Sequence, residues 1–313
     1  MDNITHSLVG WTLGQAGLKT QTRKGMAALI LAANMPDVDV FFGWVPWEPL
    51  AMHRGFTHGI VGGVVVMPPI LAGLLLLLDR WQVSRGTTFK SGRPMRAGWL
   101  VALCYLGALT HPLLDLTTTY SVQLLSPFST DWFHADGLFI IDLGLWLVLA
   151  LSIFWSKLKE KRGGEWRRPA QAAIAIALAY IAVNLAISYR AHSKVQQWAG
   201  DREAQAVFAS SPPFYFWRRN LVWREGDCYR RSSFDPLAGF GSVTACEPTS
   251  MDDPSVRQAI RSDPGLRDFL KWSIMPQAAV ERSRCSVKVT IGDARYGRSG
   301  SSRLSRETII RTC

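Results

Sequence analysis

The N-terminal part of the sequence carries short patches of histidine and aspartate, and these patches lie at the ends of apolar stretches. Imidazole and carboxylate groups are the ligands that zinc-like divalent cations select. Ionisable groups are costly among membrane-like apolar segments, so we interpret the patches as a metal site. The patches read Thr5-His6-Ser7, Asn34-Met35-Pro36-Asp37-Val38-Asp39, His53-Arg54-Gly55-Phe56-Thr57-His58 and His111-Pro112-Leu113-Leu114-Asp115.

The last of these patches has the spacing of a shared cation site. His111 and Asp115 are four residues apart, which places both side chains on one face of a helix. Pro112 favours a position of His111 near a helix start or kink, because proline removes an amide donor. The alternative is a buried hydrogen bond between histidine and aspartate without a metal.

The two acids after Pro36 are expected on a turn or at a new helix start. Asp37 and Asp39 could bind separate cations, or one could bind metal while the other orients a ligand histidine. The alternative is an exposed loop with two solvated acids. The apolar residues on both sides of the two acids make an exposed loop less favourable.

The third patch combines two histidines with an arginine. We expect His53 on a loop and His58 at a helix start, because Gly55 permits a turn between them. Arg54 could bind an anionic substrate group such as phosphate, although an arginine at headgroup depth is the alternative.

Two further positions complete the predicted site. His6 precedes Gly10 and Gly14, which would let another helix approach closely. Asp142 lies in an apolar run and calls for a partner, either a metal or a ligand histidine. The predicted metal ligands are His6, Asp37, His53, His58, His111, Asp115 and Asp142, and the predicted catalytic residues are Asp37, Asp39 and Arg54.

The charge pattern favours a membrane protein over a nucleic-acid-binding protein. The net charge of the 313 residues is +11, but the basic residues cluster between apolar runs, as in cytoplasmic loops. We therefore expect contact with the lipid bilayer and none with nucleic acid. The candidate spans are residues 4–18, 25–43, 58–78, 98–118, 138–156 and 170–189.

The sequence predicts a mainly α-helical protein with two domains. Residues 1–193 would form a polytopic membrane-embedded metal-binding domain of about five or six helices. Residues 194–313 would form a smaller soluble domain, α+β or β-rich. With the basic clusters in the cytoplasm, the candidate ligands all fall toward the non-cytoplasmic face, and the C-terminal domain would be periplasmic.

The cysteine content fits that location. The predicted soluble domain contains Cys228, Cys246, Cys285 and Cys313, which in an oxidising compartment would form two disulfides with three possible pairings. Four free thiols in a cytosolic domain are the alternative.

Taken together, the patches resemble a known family. The sequence is similar to the YdjM-like, LexA-regulated inner-membrane proteins, which are described as metal-dependent hydrolases. The likeness continues through Leu124-Leu125-Ser126-Pro127-Phe128-Ser129 and Ile140-Ile141-Asp142.

A more distant resemblance connects the sequence with zinc-dependent phospholipase C and related nucleases, which are all-helical enzymes with a cluster of zinc ions. This likeness implies that Asp115 bridges two metals. The likeness ends after Asp115. There, the phospholipase-like enzymes have a further His and a His–Glu pair, whereas this chain has His134, Asp136 and Asp142.

The leading hypothesis is a metal-dependent hydrolase of the inner membrane. One to three divalent ions, expected to be zinc, would activate water at neutral pH by lowering its pKa to about 7. A phosphoester or lipid-linked substrate at the outer face is expected from the position of the site. The alternatives are a non-catalytic metal-binding membrane protein, a transporter, or a scaffold with structural His–Asp pairs.

Overall fold

The computed structural model of the protein describes residues 1–44, 54–298, 300 and 304–313. Apart from the segment 43–52, the chain divides into two compact units, one ending at Leu185 and the other comprising Ala186–Cys313. The first unit is helical and the second contains antiparallel sheets. The predicted fold class, a helical domain followed by a smaller sheet-containing domain, is confirmed.

The first unit is built from long helices joined by short connections. Two 3₁₀ segments, Met35–Trp44 and Phe56–His58, and a π-helix, Ile60–Val66, lie between the second and third α-helices. The α-helices are α1 (Asn3–Gln15), α2 (Gly25–Asn34), α3 (Met67–Ser84), α4 (Ala97–Leu116), α5 (Leu143–Lys161) and α6 (Arg167–Ala199), the last of which ends in the second unit.

Three helical segments of the described chain are long and apolar enough to cross a membrane: Ile60–Ser84, Ala97–Leu116 and Arg167–Arg202. They correspond to the predicted spans 58–78, 98–118 and 170–189. The predicted span 25–43 is corrected, because α2 ends at Asn34 and the chain continues as a 3₁₀ helix. An α-helix of 10 residues covers about half of a 30 Å hydrocarbon core.

The other two predicted spans also differ from the observed helices. Helix α1, which occupies the predicted span 4–18, has 13 residues and is too short to cross alone. Helix α5, which occupies the predicted span 138–156, begins five residues later and ends in the charged sequence Lys157-Leu158-Lys159-Glu160-Lys161. Hydropathy identified these segments as helical but misplaced their ends.

The basic connections gather at one end of the helical unit. Lys19, between α1 and α2, pairs with Glu160 at the end of α5, with Nζ 2.6 Å from Oε2. Arg23 donates from Nη2 to Asp79 near the end of α3 at 2.7 Å. Arg93, before α4, donates to the carbonyl of Lys19 at 2.6 Å. The polar patches therefore lie at the opposite end, where α1 and α3 begin and α2 and α4 finish.

Two glycines let α1 and α4 approach the backbone of α2. A Cβ atom at Gly10 would lie 2.7 Å from the carbonyl oxygen of Leu29, and a Cβ atom at Gly107 would lie at the same distance from that oxygen. Both are closer than real Cβ contacts allow, so only glycine fits. The expectation of a close helix approach at Gly10 is confirmed, and each glycine is four residues from a candidate ligand, His6 or His111.

The second unit contains two antiparallel sheets and two short helices. One sheet has the strand order β1-β2-β3-β4 with β5 also paired to β3, and the other has the order β6-β7-β8. The strands are β1 (Gln205–Ser210), β2 (Arg219–Glu225), β3 (Cys228–Asp235), β4 (Gly239–Phe240), β5 (Glu247–Pro248), β6 (Pro276–Arg282), β7 (Ser286–Asp293) and β8 (Ser305–Arg311). Helices α7 (Pro254–Ser262) and α8 (Pro264–Trp272) precede β6, each capped by an aspartate at its N-terminus.

The core of this unit includes the last turns of α6. Ala191, Val195 and Ala199 pack against Leu221 and Trp223 of β2. The chain is therefore continuous as a helix through residue 193, where the sequence placed the domain boundary.

The four C-terminal cysteines form two disulfides. Of the three pairings left open by the sequence, the structure contains Cys228–Cys246 and Cys285–Cys313. The first joins the start of β3 to the segment before β5, and the second joins the segment before β7 to the chain terminus.

Candidate metal centre

Five of the predicted ligands converge at the end of the helical unit opposite the basic connections. They form two overlapping groups: His6, His111 and Asp115, and Asp37, His58 and His111. Within each group, one ligand atom from each residue lies within 4.8 Å of the others. All five side chains are buried, so the cluster is shielded from bulk water.

The five candidate ligands reach the cluster from four helical segments. His6 lies in the first turns of α1, and Asp37 lies in the 3₁₀ helix directly after α2. His58 ends the short 3₁₀ helix that precedes the π-helix. His111 and Asp115 lie one turn apart near the end of α4, where Pro112 is accommodated inside the helix.

Asp115 lies between the imidazoles. Its Oδ1 is 3.4 Å from His6 Nε2, and its Oδ2 is 3.4 Å from both His58 Nε2 and His111 Nε2. Asp37 contributes a second carboxylate, with Oδ1 3.2 Å from His58 Nε2 and 3.6 Å from His111 Nε2. A carboxylate with both oxygens facing imidazoles can bridge two cations.

The rings of His6 and His111 are stacked, with centroids 3.8 Å apart and an interplanar angle of 17°. His58 meets His111 edge-on at a centroid distance of 4.7 Å. These contacts explain how imidazoles from three elements fit into one small volume.

Two imidazoles are oriented by contacts on the side of the ring away from the cluster. His111 Nδ1 lies 2.7 Å from the carbonyl oxygen of Ala33, which can only accept a hydrogen bond, so Nδ1 carries the proton. His58 Nδ1 lies 3.3 Å from Asp39 Oδ2 and 3.1 Å from the hydroxyl of Thr57. In both rings this leaves Nε2 directed at the carboxylates, which is the arrangement of metal-ligating histidines.

The cluster contains buried polar atoms that lack hydrogen-bond partners among the described residues and that a bound cation could satisfy. Within the described part of the chain, neither ring nitrogen of His6, nor Nε2 of His111, nor either carboxylate oxygen of Asp115 makes a hydrogen bond. Oδ1 of Asp115 is already faced by Arg54 and the Met1 amine, but Nε2 of His111 and Oδ2 of Asp115 are two acceptors that face each other. Buried polar atoms are almost always paired, so these two acceptors call for an additional positive group. A divalent cation bound by nitrogen and oxygen ligands would satisfy them together.

Arg54 is fixed beside this cluster. Its Nη2 lies 3.2 Å from Asp115 Oδ1, and its Nη1 donates to Thr118 Oγ1 at 3.0 Å. The guanidinium carbon lies 4.6 Å from the ring centroid of Tyr120. The residue has a left-handed backbone conformation, with φ of 64°, which is uncommon for a side chain other than glycine, asparagine or aspartate.

Asp39 supports the site without belonging to either ligand group. Its Oδ2 accepts from the backbone N–H of Arg54 at 3.2 Å and from the Thr57 hydroxyl at 2.7 Å, and it faces His58. The sequence-based alternative in which one acid of the pair binds metal while the other orients a histidine agrees with this geometry.

Two predicted or considered residues do not join the cluster. Asp142 accepts hydrogen bonds from the backbone N–H of Leu145 at 2.9 Å and from the Tyr180 hydroxyl, so it caps α5. Asp142, predicted as a metal ligand, is not part of either ligand group, and these hydrogen bonds supply the partner that the acid needs. His134 pairs with Asp136 at 3.0 Å. The predicted ligand His53 lies outside the described residues.

Two residues at the start of the sequence also contribute to the cluster, although the sequence pattern did not single them out. Asp2 caps α1 by accepting from the N–H groups of Ile4 and Thr5, which fixes the helix start that carries His6. The backbone amine of Met1 contacts Asp115. The cap could have been recognised, since aspartate is a preferred N-cap residue.

The fold and the cluster define a class: a membrane-embedded helical protein with a buried histidine–aspartate centre at one end of its helices. A profile of the YdjM inner membrane protein family matches residues 1–191, and the chain belongs to this family. The match includes all five residues of the cluster.

Two curated relatives extend the comparison. The chain is 22% identical over 313 residues to the uncharacterized protein YfhP of Bacillus subtilis (strain 168), covering 96% of this chain and 88% of that protein. It is 35% identical over 138 residues to the inner membrane protein YbcI of Escherichia coli (strain K12), covering 42% of this chain and 70% of that protein. No solved structure matches the chain significantly.

Proposed function

We propose that this inner-membrane protein is a metal-dependent hydrolase that cleaves a phosphoester of a lipid or lipid-linked substrate. The observation that carries the proposal is the convergence of three imidazoles and two carboxylates beside one buried arginine. A bound divalent cation would lower the pKa of a coordinated water and polarise a phosphoryl oxygen.

The proposed ligands are the five residues of the cluster, with zinc as the expected ion. Asp115 faces all three imidazoles, so it is the residue we propose to bridge if two ions bind. Nitrogen and oxygen donors together suit zinc, whereas magnesium and calcium prefer oxygen ligands throughout.

Arg54 is the proposed binding residue for the phosphate group. Its planar guanidinium can donate two parallel hydrogen bonds to a phosphoryl group, and its packing on Tyr120 holds the fork in one orientation. A cation bound to Asp115 would neutralise the carboxylate that Arg54 faces, and we propose that Arg54 then contacts a substrate anion as well. Asp39 would position His58 and the backbone of Arg54 rather than contact the substrate.

An apolar cavity supports a substrate with a hydrocarbon chain. It has a volume of about 390 Å³ and lies among α1, α4, α5 and α6. Its lining on α4 includes Thr110, Leu113 and Leu114, which neighbour His111 and Asp115 along the helix. Cavities of this size bind small ligands, and aliphatic walls favour an acyl or prenyl chain.

The outer face of the inner membrane is the proposed location of the site. Basic residues favour the cytoplasmic side, and the cluster lies at the end of the helical unit opposite the basic connections. The two disulfides of the C-terminal unit support an oxidising compartment for residues 194–313.

A transporter would place its ionisable residues at several depths along a path. The five candidate ligands instead come from helix ends at one end of the unit, which favours a single external centre. Non-catalytic metal binding would use the same cluster and is separated from hydrolysis by the following experiment.

The proposal is tested with full-length protein in nanodiscs, stripped with a chelator and then reloaded with zinc, manganese or iron. The probes are bis(4-nitrophenyl) phosphate and a fluorescent phosphatidylglycerol, with release of each product measured. We expect hydrolysis after reloading and its loss in Asp115→Asn, while His134→Ala retains it. Metal-loaded protein that hydrolyses neither probe with any of these ions would overturn the hydrolase proposal and leave non-catalytic metal binding.

A further inference from the structure

The second unit exposes a group of aromatic side chains on one loop. We define the aromatic loop as residues 212–218, Pro-Pro-Phe-Tyr-Phe-Trp-Arg. Phe214 is 73% exposed and Tyr215 is 51% exposed. Two prolines restrict the start of the loop, and the ring of Trp217 packs edge-on against both Tyr215 and Phe216. These rings are therefore held in place while facing outward, although their exposure to water is unfavourable.

A neighbouring turn exposes a further apolar side chain. Arg218, at the end of the aromatic loop, donates from Nε to Asp235 Oδ2 at 2.9 Å. Asp235 also accepts from the backbone N–H of Leu237 at 2.9 Å, and Leu237 is 95% exposed. Hydrogen bonds to Asp235 therefore connect the aromatic loop with the turn on which Leu237 is exposed.

A buried arginine fixes the loop to α6. Arg219 is fully buried and donates from Nε to the hydroxyl of Ser188 on α6 at 2.7 Å. Through Nη1 it also donates to the carbonyl of Phe216 at 2.5 Å. The loop is therefore held at the level of Ser188.

Ser188 marks the place where α6 leaves its apolar stretch. The sequence from residue 169 to residue 189 contains no Asp, Glu, Lys or Arg, and Arg190 ends it. About 20 residues cross a bilayer, so a span that begins after Arg168 reaches the lipid headgroups near Ser188. Tyr189, at the same level, is 75% exposed.

From this chain of contacts we propose that the aromatic loop and Leu237 insert into the headgroup–acyl boundary of the bilayer that α6 crosses. Aromatic side chains are enriched at this depth because one part of the ring system is apolar while Tyr and Trp carry a polar group. Arg218 lies beside the rings and can interact with lipid phosphates. The contact would hold the second unit close to the membrane surface, independently of metal binding.

The experiment uses full-length protein in nanodiscs with single cysteines introduced at Phe214→Cys or Leu237→Cys. The four disulfide cysteines are paired and Cys104 is buried, so an NBD maleimide should react with the introduced thiol. Gln258→Cys, on the exposed side of α7, is the matched control. Unsubstituted protein gives the background labelling.

Quenching is then measured with nitroxide lipids labelled near the headgroup and with aqueous iodide. We expect strong quenching by the lipid nitroxide and several-fold protection from iodide at positions 214 and 237, and the reverse at position 258. If the label at either 214 or 237 is quenched no more by the lipid than the label at 258, the proposal is wrong. Retention of both disulfides and a single gel-filtration peak establish that each variant is folded.

Discussion

His111 donates its Nδ1 proton to the backbone carbonyl of Ala33, 2.7 Å away, and so connects α4 to the last turn of α2. Asp37, in the 3₁₀ helix that follows this turn, has its Oδ1 3.6 Å from Nε2 of the same imidazole. The hydrogen bond on one side of the ring therefore sets the direction of the ligand atom on the other side. Because a backbone carbonyl of α2 orients this imidazole, the packing of α2 against α4 sets the geometry of the candidate metal centre.

That packing leads to a prediction for Gly107→Ala. The added Cβ would collide with the Leu29 carbonyl and with Ala32, which separates α4 from α2 and costs about 1–3 kcal/mol of stability. We expect His111 to move away from Ala33 and the zinc affinity to fall by about tenfold or more, which is about 1.4 kcal/mol. Zinc affinity is measured by competition with a chromophoric chelator.

Gly98→Ala is the matched control, because Gly98 lies on the same helix and nothing lies within 4 Å of its added Cβ. Equal zinc affinity in both variants would show that the close approach of α4 to α2 does not position the site.

Asp39→Asn should weaken metal binding without removing a ligand. The amide cannot stabilise the Nδ1–H group of His58 as a carboxylate does, and loss of such a supporting partner costs about 10- to 100-fold in metal affinity. The affinity is measured as above, with Asp131→Asn in an exposed loop as the control. An unchanged affinity would mean that Asp39 has no part in orienting His58.

Arg54→Lys tests the proposed phosphate-binding role. Lysine keeps the charge but loses the planar fork, so KM for bis(4-nitrophenyl) phosphate should rise by about tenfold, while the bound zinc per chain stays the same. Arg80→Lys, at the exposed end of α3, should change neither quantity. Loss of zinc in Arg54→Lys would instead assign Arg54 to the integrity of the cluster.

Asp293 is expected to control the stability of the second unit. Burial would raise the pKa of this carboxyl group, but the Arg295 guanidinium, with Nε 2.8 Å away, and hydrogen bonds from Ser273 and several backbone N–H groups lower the pKa below its ordinary value. Both side chains of the ion pair are fully buried. Asp293→Asn should therefore destabilise the unit by about 3–5 kcal/mol.

The pH dependence follows from the lowered pKa. A carboxyl whose folded pKa lies below its unfolded value of about 3.9 contributes its full stability above that pH. This contribution is lost as the pH falls through the folded pKa, so the difference in unfolding free energy between the wild type and Asp293→Asn should be constant from pH 7 to about 5 and shrink below about 4. Chemical denaturation of the full chain, followed by tryptophan fluorescence, measures it. A difference that grows toward low pH would contradict the assignment.

The sequence located the residues of the cluster better than it located the ends of the helices that carry them. His6, Asp37, His58, His111 and Asp115 were recognisable because ionisable residues are rare at the ends of apolar runs. The end of α2 at Asn34, within the apolar run 25–43, was not recognisable. Average hydropathy does not distinguish one long helix from a short helix followed by a 3₁₀ segment.

Non-local contacts account for the remaining differences. Asp142 resembled a ligand because its partner Tyr180, 38 residues away, could not be identified from local sequence. The contact between Arg54 and Asp115 also joins parts of the chain that are far apart in the sequence. Contacts of this kind follow from helix packing, which spacing alone does not specify.

Whether the five-residue cluster binds a divalent metal is measured by the metal content of the full-length protein, determined by elemental mass spectrometry. The measurement compares the wild type, the His111→Ala/Asp115→Ala double variant and His134→Ala as a control outside the cluster. We predict one or more zinc, manganese or iron ions per chain in the wild type and in His134→Ala, and none in the double variant. Absence of bound metal from the folded wild type, even after reconstitution, would mean that the cluster is a structural network of histidines and aspartates and not a metal site.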